Sequence, residues 1–470
     1  MSEVSEDFRA ALSGALAREL PGFVALESCA RLSGGASQET YRLRVACTHG
    51  PLQLALRRTP GGAPPALDAE QIGPGVEAMV VRAARAAGVP VAEIVAELAP
   101  EDGLGEGYVM AWLAGEALGS RIVRSPALAA VRPQLAHQCG RILARIHAID
   151  VVSSGLDRVL KVVPPAALVQ QTWRQYQSFN TPQPLIDYTA QWLLAHLPPA
   201  LPPTLTHADF RNGNLMVSPA GIVGVLDWEI THLGDPMRDL GWLCTASWRF
   251  GVAGLPVGGF GDYAALFAGY TAESGVVVDA AHVRYWEIFG SFWWAVGALT
   301  MADHWRHGPD RTVERLAIGR RSSECQIDCV NLLIPGRVTA LAPAPEPTDE
   351  LPATHELLHS VRDFLRDEVA AGTRERQRFM ARVAANSLDI VLRDAALGPA
   401  ARSAEQARLE ALLGTRDSLL ALRWQLVHGL REGRFALTDP ALTAHLRHTV
   451  TQQVLIDQPG YPGLQQALGA

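Results

Sequence analysis

The sequence has 470 residues, of which 48% are hydrophobic and 19% charged, and a formal net charge of −7. That length exceeds one core and suits two or three structural units. The apolar fraction excludes a chain disordered throughout, and the negative balance excludes a broad basic surface for nucleic acid. The start, MSEVSEDFRAALSGAL, is acidic and lacks the basic entry and apolar centre of a signal peptide. In the first hundred or so residues, short β-like runs at Tyr41 to Ala46, Leu52 to Arg57 and Gly107 to Trp112 surround a helical stretch from about Asp68 to Ala87. Strands with one inserted helix predict a small mixed lobe over residues 1–112 rather than a doubly wound sheet.

Residues 113–335 read as a mainly helical second lobe. Helical spacing runs from Pro126 to Ile149, and helices fit Ala166 to Tyr176 and Pro184 to Leu197. Between Leu205 and Leu226 the period changes to two strands, Leu215 to Val217 and Ile222 to Leu226, joined by the turn Ser218-Pro219-Ala220-Gly221. The most apolar stretch, Ile288 to Ala302, is shorter than the ~20 residues a membrane span needs, so it predicts a buried helix and no membrane partner. Residues 336–351 are rich in Pro and Ala, a connector composition. Residues 352–470 carry about four amphipathic stripes and predict a helical bundle.

Six cysteines are scattered, with only Cys325 and Cys329 close together, which fits reduced thiols in a cytoplasmic protein better than disulfides or a metal site. Lys161 is the single lysine. Cationic chemistry therefore falls to arginine.

The residues with chemical meaning cluster from His207 to Asp227. HADFRNGN sets Asp209 five residues before Asn214, a spacing that presents a base and a metal-binding amide from one loop. Asp227, expected at a strand end after the hairpin, supplies a carboxylate to the same metal. Any one of these residues is ordinary alone, since a lone strand-end Asp is usually a turn or cap residue. Base, amide, hairpin and Asp within 21 residues are not.

The stretch THADFRNGNLMVSPAGIVGVLDWEITHLGDPMRDLGWL resembles the signature of the aminoglycoside phosphotransferase and choline kinase family, with weaker similarity from about residue 25 to 335. The resemblance implies an α+β, bilobal protein-kinase-like fold, followed by the small all-α domain. It implies ATP and Mg2+ as cofactors, Asp209 as catalytic base, His207 as support of its loop, Asn214 and Asp227 as magnesium ligands, and Asp239 as a brace of the second lobe. Upstream, Gly34, Gly35 and Ser37 match a phosphate-covering loop. Arg57 stands where the kinase strand ends in lysine, a departure that keeps the charge but changes its geometry. Glu77 matches the glutamate that pairs with that cation, and Met110 and Trp112 the strand leading to the adenine. Glu229, Asp303, His304 and Arg306 are the expected acceptor contacts.

ALRRTPGG, GLDRVL, the TWRQY segment and DWEITHLGDP look most similar to the branch whose kinase domains occur alone or fused to acyl-CoA dehydrogenases. That implies a small-molecule hydroxyl acceptor, a hydroxyacyl-CoA, and an acyl-CoA dehydrogenase partner recruited by the C-terminal helices. An aminoglycoside, choline or sugar kinase is the alternative, and a catalytically silent nucleotide-binding scaffold is the alternative of another class. His355-Glu356-Leu357-Leu358-His359 spells the zinc pattern HExxH. The apolar stripe centred on Val361 predicts that both histidines face solvent, which argues against a zinc hydrolase.

Overall fold

Strict alternation in Glu39–Cys47 buries Tyr41, Leu43 and Val45 and exposes Arg42 and Arg44, the two-residue period of a strand with one covered face. In the computed structural model, which describes residues 4–32, 38–59, 71–343 and 351–469, this strand is the second of a five-stranded sheet. Helix α1 (Glu6–Glu19) starts at Ser5, whose hydroxyl accepts the Phe8 N–H. Strands β1 (Phe23–Arg31), β2 (Glu39–Cys47) and β3 (Gly50–Arg58) follow. Helix α2 (Pro74–Ala86), with Pro at its first position, leads to β4 (Ile94–Glu97) and β5 (Gly107–Ala111). The sheet order is β1-β2-β3-β5-β4, antiparallel throughout. Leu12 and Leu16 of α1 join Leu43, Val45, Leu54, Leu56 and Val109 in one core.

Helix α3 (Leu135–His147) buries Leu135, Cys139, Leu143 and Ile146 at helical spacing. The predicted helix from Pro126 begins only there, because the segments at Pro126 and at Arg132–Gln134 form single 3₁₀ turns. Next come α4 (Pro165–Ser178), α5 (Pro184–Ala195), β6 (Thr204–Thr206), the hairpin β7 (Leu215–Ser218) and β8 (Gly221–Val225), and β9 (His232–Gly234), which pairs with β6. The helices α6 (Met237–Cys244), α7 (Tyr263–Ser274), α8 (Ala280–His307), α9 (Val313–Arg320) and α10 (Ser322–Leu333) follow. The C-terminal part holds α11 (Thr354–Asp363), α12 (Glu375–Leu413), α13 (Leu419–Arg431), α14 (Pro440–Asp457) and α15 (Pro462–Leu468). No helix among the described residues is long and apolar enough to cross a membrane.

The chain divides into two compact units, Met1–Pro164 with Pro199–Trp286, and Pro165–Pro198 with Glu287–Ala470. Helices α4 and α5 belong to the second unit through the buried Asp187. Its carboxylate accepts from Arg431 Nε at 2.7 Å, Trp173 Nε1 at 2.8 Å and the Tyr176 hydroxyl at 2.9 Å. Burial pushes that carboxyl up, and Arg431 opposes the shift.

The HExxH helix turns the opposite way from the expectation. Leu357, Val361 and Phe364 are 56%, 51% and 52% exposed, while His355 and His359 are half-buried, their rings edge-to-face at 6.3 Å. The reason is ionic: Arg362 and Arg366 follow the histidines on the same side of the helix and both reach Asp389 of α12, at 3.3 and 2.5 Å. Those pairs, with the half-buried Leu358 and Leu365 on the same side, turn that face of α11 toward α12 and leave Leu357, Val361 and Phe364 outside.

Candidate active site

The loop between β6 and β7 is built around a carboxylate that takes no part in its surface. Asp239, fully buried on α6, accepts the N–H of His207 and of Ala208 on separate oxygens, both at 2.8 Å, and lies 3.2 Å from His147 Nε2. Burial alone would raise its pKa. The hydrogen bond of His147, with the charge of Arg238, brings it below the usual carboxylate value instead. The two amide bonds hold Ala208 at φ +69°, a left-handed conformation costly for a residue with a Cβ.

His207 completes the loop from inside. The Asp209 N–H donates to its Nδ1 at 3.2 Å, so the proton is on Nε2 and is given to the Leu226 carbonyl at 3.0 Å. Burial pushes its pKa down, against the nearby carboxylates, and keeps the ring neutral.

With the backbone fixed, the Asp209 side chain is fixed by three neighbours. Its Oδ1 accepts from Trp242 Nε1 at 2.8 Å and Arg211 Nε at 2.9 Å, and its Oδ2 from Asn214 Nδ2 at 2.6 Å. Arg211 lies over the Trp248 ring, 4.6 Å from its centroid. Because the Asn214 amide nitrogen faces Asp209, its oxygen is directed elsewhere. The Asn214 carbonyl accepts the Leu226 N–H at 2.8 Å, which joins the loop to the segment carrying Asp227. Strand β8 stops at Val225, so Asp227 lies two residues past the strand end in irregular chain, at φ +67° and with its side chain 30% exposed.

A second cluster centres on Arg57 of β3. Its Nε lies 3.4 Å from Glu77 and donates to Gln38 at 2.6 Å, while its Nη2 contacts Asp227 and lies 3.5 Å from Glu229. Burial acts to lower its pKa, but Glu77, Tyr108 and Asp227 outweigh burial and raise it further. Glu77 is fully buried and also accepts the Trp228 N–H at 3.2 Å. Burial raises its pKa despite Arg57. Arg57, Glu77 and Asp227 are thus brought together. Glu229, expected at the acceptor, joins them on the guanidinium.

Met110 sits in β5 opposite Ala55, and the Trp112 N–H is committed to the Gln53 carbonyl at 3.1 Å, with its ring under Arg42. Gly115 fits where the chain passes β7, since a Cβ there would come within 2.8 Å of the Val217 carbonyl oxygen. Gly34, Gly35 and Ser37 lie outside the described residues. Asp303, His304 and Arg306 belong to the second unit, at the end of α8, where Asp303 lies 3.0 Å from His307 Nδ1. Sequence reasoning missed Arg211, Trp242 and Gln38. Arg211 stands two residues after Asp209 and Trp242 three after Asp239, one helical turn away, so both were inside the recognised stretch. Gln38 had no signal.

Residues 28–275 match the phosphotransferase enzyme family, and residues 371–461 match a domain of unknown function. The chain is 33% identical over 223 residues to the Mus musculus protein named acyl-CoA dehydrogenase family member 10, covering 45% of this chain and 20% of that protein. It is 32% identical over 240 residues to acyl-CoA dehydrogenase family member 11 of Gallus gallus, covering 48% and 29%. It therefore spans less than a third of the length of these relatives. The crystal structure of a candidate aminoglycoside phosphotransferase from Ralstonia eutropha superposes with a TM-score of 0.54 at 23% identity, over 67% of this chain and 95% of that one, a likeness of fold.

Proposed function

The chain belongs to the phosphotransferase enzyme family and is a small-molecule kinase, and from that premise we propose that it moves the terminal phosphoryl group of ATP to the hydroxyl of a hydroxyacyl-CoA. The observation that carries the reading is the Asp209 carboxylate, oriented by Arg211, Trp242 and Asn214 on a loop whose backbone Asp239 holds. In this arrangement Asp209 accepts the proton of the acceptor hydroxyl as its oxygen attacks phosphorus. His207 is a positioning residue. Arg211, already on Asp209, adds positive charge where negative charge gathers in transfer.

The donor set suits magnesium. Asp227 offers a partly exposed carboxylate and Asn214 an amide oxygen, both hard oxygen ligands. Bound magnesium would neutralise phosphate charge. Arg57, kept cationic by Glu77, would contact phosphate oxygens with the guanidinium edges that now meet Asp227 and Glu229. Gly34, Gly35 and Ser37 are proposed to cover the phosphates, and Met110 and Trp112 to border the adenine.

The acceptor class rests on the names of the relatives. Their name, acyl-CoA dehydrogenase, supports an acyl-CoA acceptor and a dehydrogenase partner, and Asp303, His304 and Arg306 are the proposed acceptor contacts. The six free thiols fit a cytoplasmic setting.

The test is ADP release with magnesium-ATP and a panel of hydroxyacyl-CoAs, aminoglycosides, choline and sugars. Turnover is expected with a hydroxyacyl-CoA, and Asp209→Asn is expected to lower it by roughly 10²- to 10⁴-fold without changing the melting midpoint. Undiminished turnover in that variant removes Asp209 as the base. Turnover confined to another acceptor class removes the acyl-CoA assignment.

A further inference from the structure

The second unit contains a cavity of about 260 Å³ among α5, α8, α9, α10, α12, α13 and α14. A single bridging water occupies about 30 Å³, so the space is several times what packing with one water explains. Its polar wall includes buried groups. His445 is 2% exposed, and its Nδ1 has no hydrogen-bond partner among the described residues. Asp457, at the end of α14, is 7% exposed, and its Oδ1 has no hydrogen bond either, although Arg320 Nη1 is 3.4 Å away. Buried polar atoms normally have partners. The His445 orphan on the cavity wall points to a ligand, while the Asp457 oxygen is faced by Arg320.

Charge selects its class. On the wall, Arg320 and Arg423 balance Asp457 and Glu405, the latter taking Nε and Nη2 of Arg423 at 2.7 and 2.5 Å. Behind the wall, Arg408 donates to Thr449 Oγ1 at 3.2 Å, and its Nε has no partner. One cation is thus left without a carboxylate of its own. Burial and the charges of Arg408, Arg423 and His448 push the His445 pKa down to about 3 and keep the ring neutral, with an N–H to give to an anion. Leu185, Leu299, Leu446 and Val450 make the remaining wall aliphatic.

We propose that this cavity binds a small carboxylate monoanion with a short aliphatic tail, the carboxylate being taken by His445 and Thr449 in the field of Arg408. Every wall belongs to the second unit, and none of its lining residues is one assigned to the reaction at Asp209.

Isothermal titration of the full chain with sodium butyrate, butanol and inorganic phosphate tests this. Butyrate is expected to bind saturably at one site, with butanol and phosphate at least tenfold weaker. His445→Phe and Thr449→Val are each expected to weaken butyrate at least tenfold. Absence of saturable heat, butanol binding as well as butyrate, tighter binding of phosphate, or unchanged affinity in both variants overturns the proposal. Should His445→Phe fail to fold, Thr449→Val and the ring resonances of His445 in the unmodified protein decide. They must move saturably with butyrate, and resonances that stay fixed overturn the site.

Discussion

Buried polar groups at the Asp209 loop are used differently from those of the second unit. At the loop, the interior carboxylate Asp239 accepts two backbone amides, and the neutral His207 spends both ring nitrogens on backbone groups. In the second, buried ions join side chain to side chain across helices, as in Asp187 with Arg431 and Glu405 with Arg423. Polar groups that hold backbone fix the position of a neighbour. Polar groups that hold other side chains fasten elements and can leave capacity over, as at His445 and Asp457.

The sharpest way to break this comparison is to remove one anchor of each kind. Asp239→Ala strands two loop amides and His147 in the interior, and a loss of roughly 3–5 kcal/mol is expected together with loss of turnover. Arg431→Met strands Asp187, with a stability loss in the same range but no change in ADP affinity. Chemical denaturation and ADP titration of both variants decide. Weakened ADP binding in Arg431→Met would show that the fasteners of the second unit also serve the first.

Titration gives the next largest effect. His232 in the first unit and His445 in the second are buried, and their pKa values are pushed down to about 4 and about 3, mainly by burial. A histidine whose folded pKa lies below the unfolded value near 6.5 holds fewer protons when folded. Its stability is present in full above pH 6.5 and is lost as pH falls toward the folded value. A shift from 6.5 to about 4 amounts to roughly 2 kcal/mol by pH 5. Asp239, with its pKa lowered, keeps its contribution through that window and loses it only at more acidic pH. Melting midpoints should therefore fall between pH 7 and 5, and less so in His232→Gln. The raised carboxyls Glu77, Asp187 and Asp457 act in the opposite sense, so the comparison with the variant decides, and an equal fall in His232→Gln contradicts the neutral buried ring.

Arg57 tests the first unit's second cluster. Lysine is the commoner kinase cation, yet one ammonium cannot meet Glu77, Asp227 and Glu229 as a guanidinium with two edges does. Arg57→Lys is expected to lower kcat/KM about tenfold, or about 1.4 kcal/mol. Equal or higher activity would show that charge alone is required at this position.

The legible parts of the molecule are those where local chemistry has one outcome. Alternation in β2, the Ser-Pro-Ala-Gly turn and the spacing of Asp209 and Asn214 are each set by neighbours within a few residues, and they were readable. Arg211 and Trp242 were in the recognised stretch, but their meaning depends on loop curvature that a long-range anchor, Asp239, imposes. Gln38 and the side that α11 turns inward depend on partners 19 residues away, Arg57, and 23 to 27 residues away, Asp389. An apolar stripe says which face prefers burial. It does not say whether an ion pair outweighs it.

That last competition can be measured, and its effects are the smallest. Leu357, Val361 and Phe364 already face solvent, so Leu357→Gln is expected to change stability by no more than about 0.5 kcal/mol. Arg362→Ala removes a partly buried partner of Asp389, with side-chain exposures of 18% and 21%, and about 1 kcal/mol is expected, above the range of an exposed pair. The order of the two values matters more than their size, because the reverse order is what a helix packed through Val361 would give. Denaturation of the two variants side by side therefore reads which face of α11 is buried.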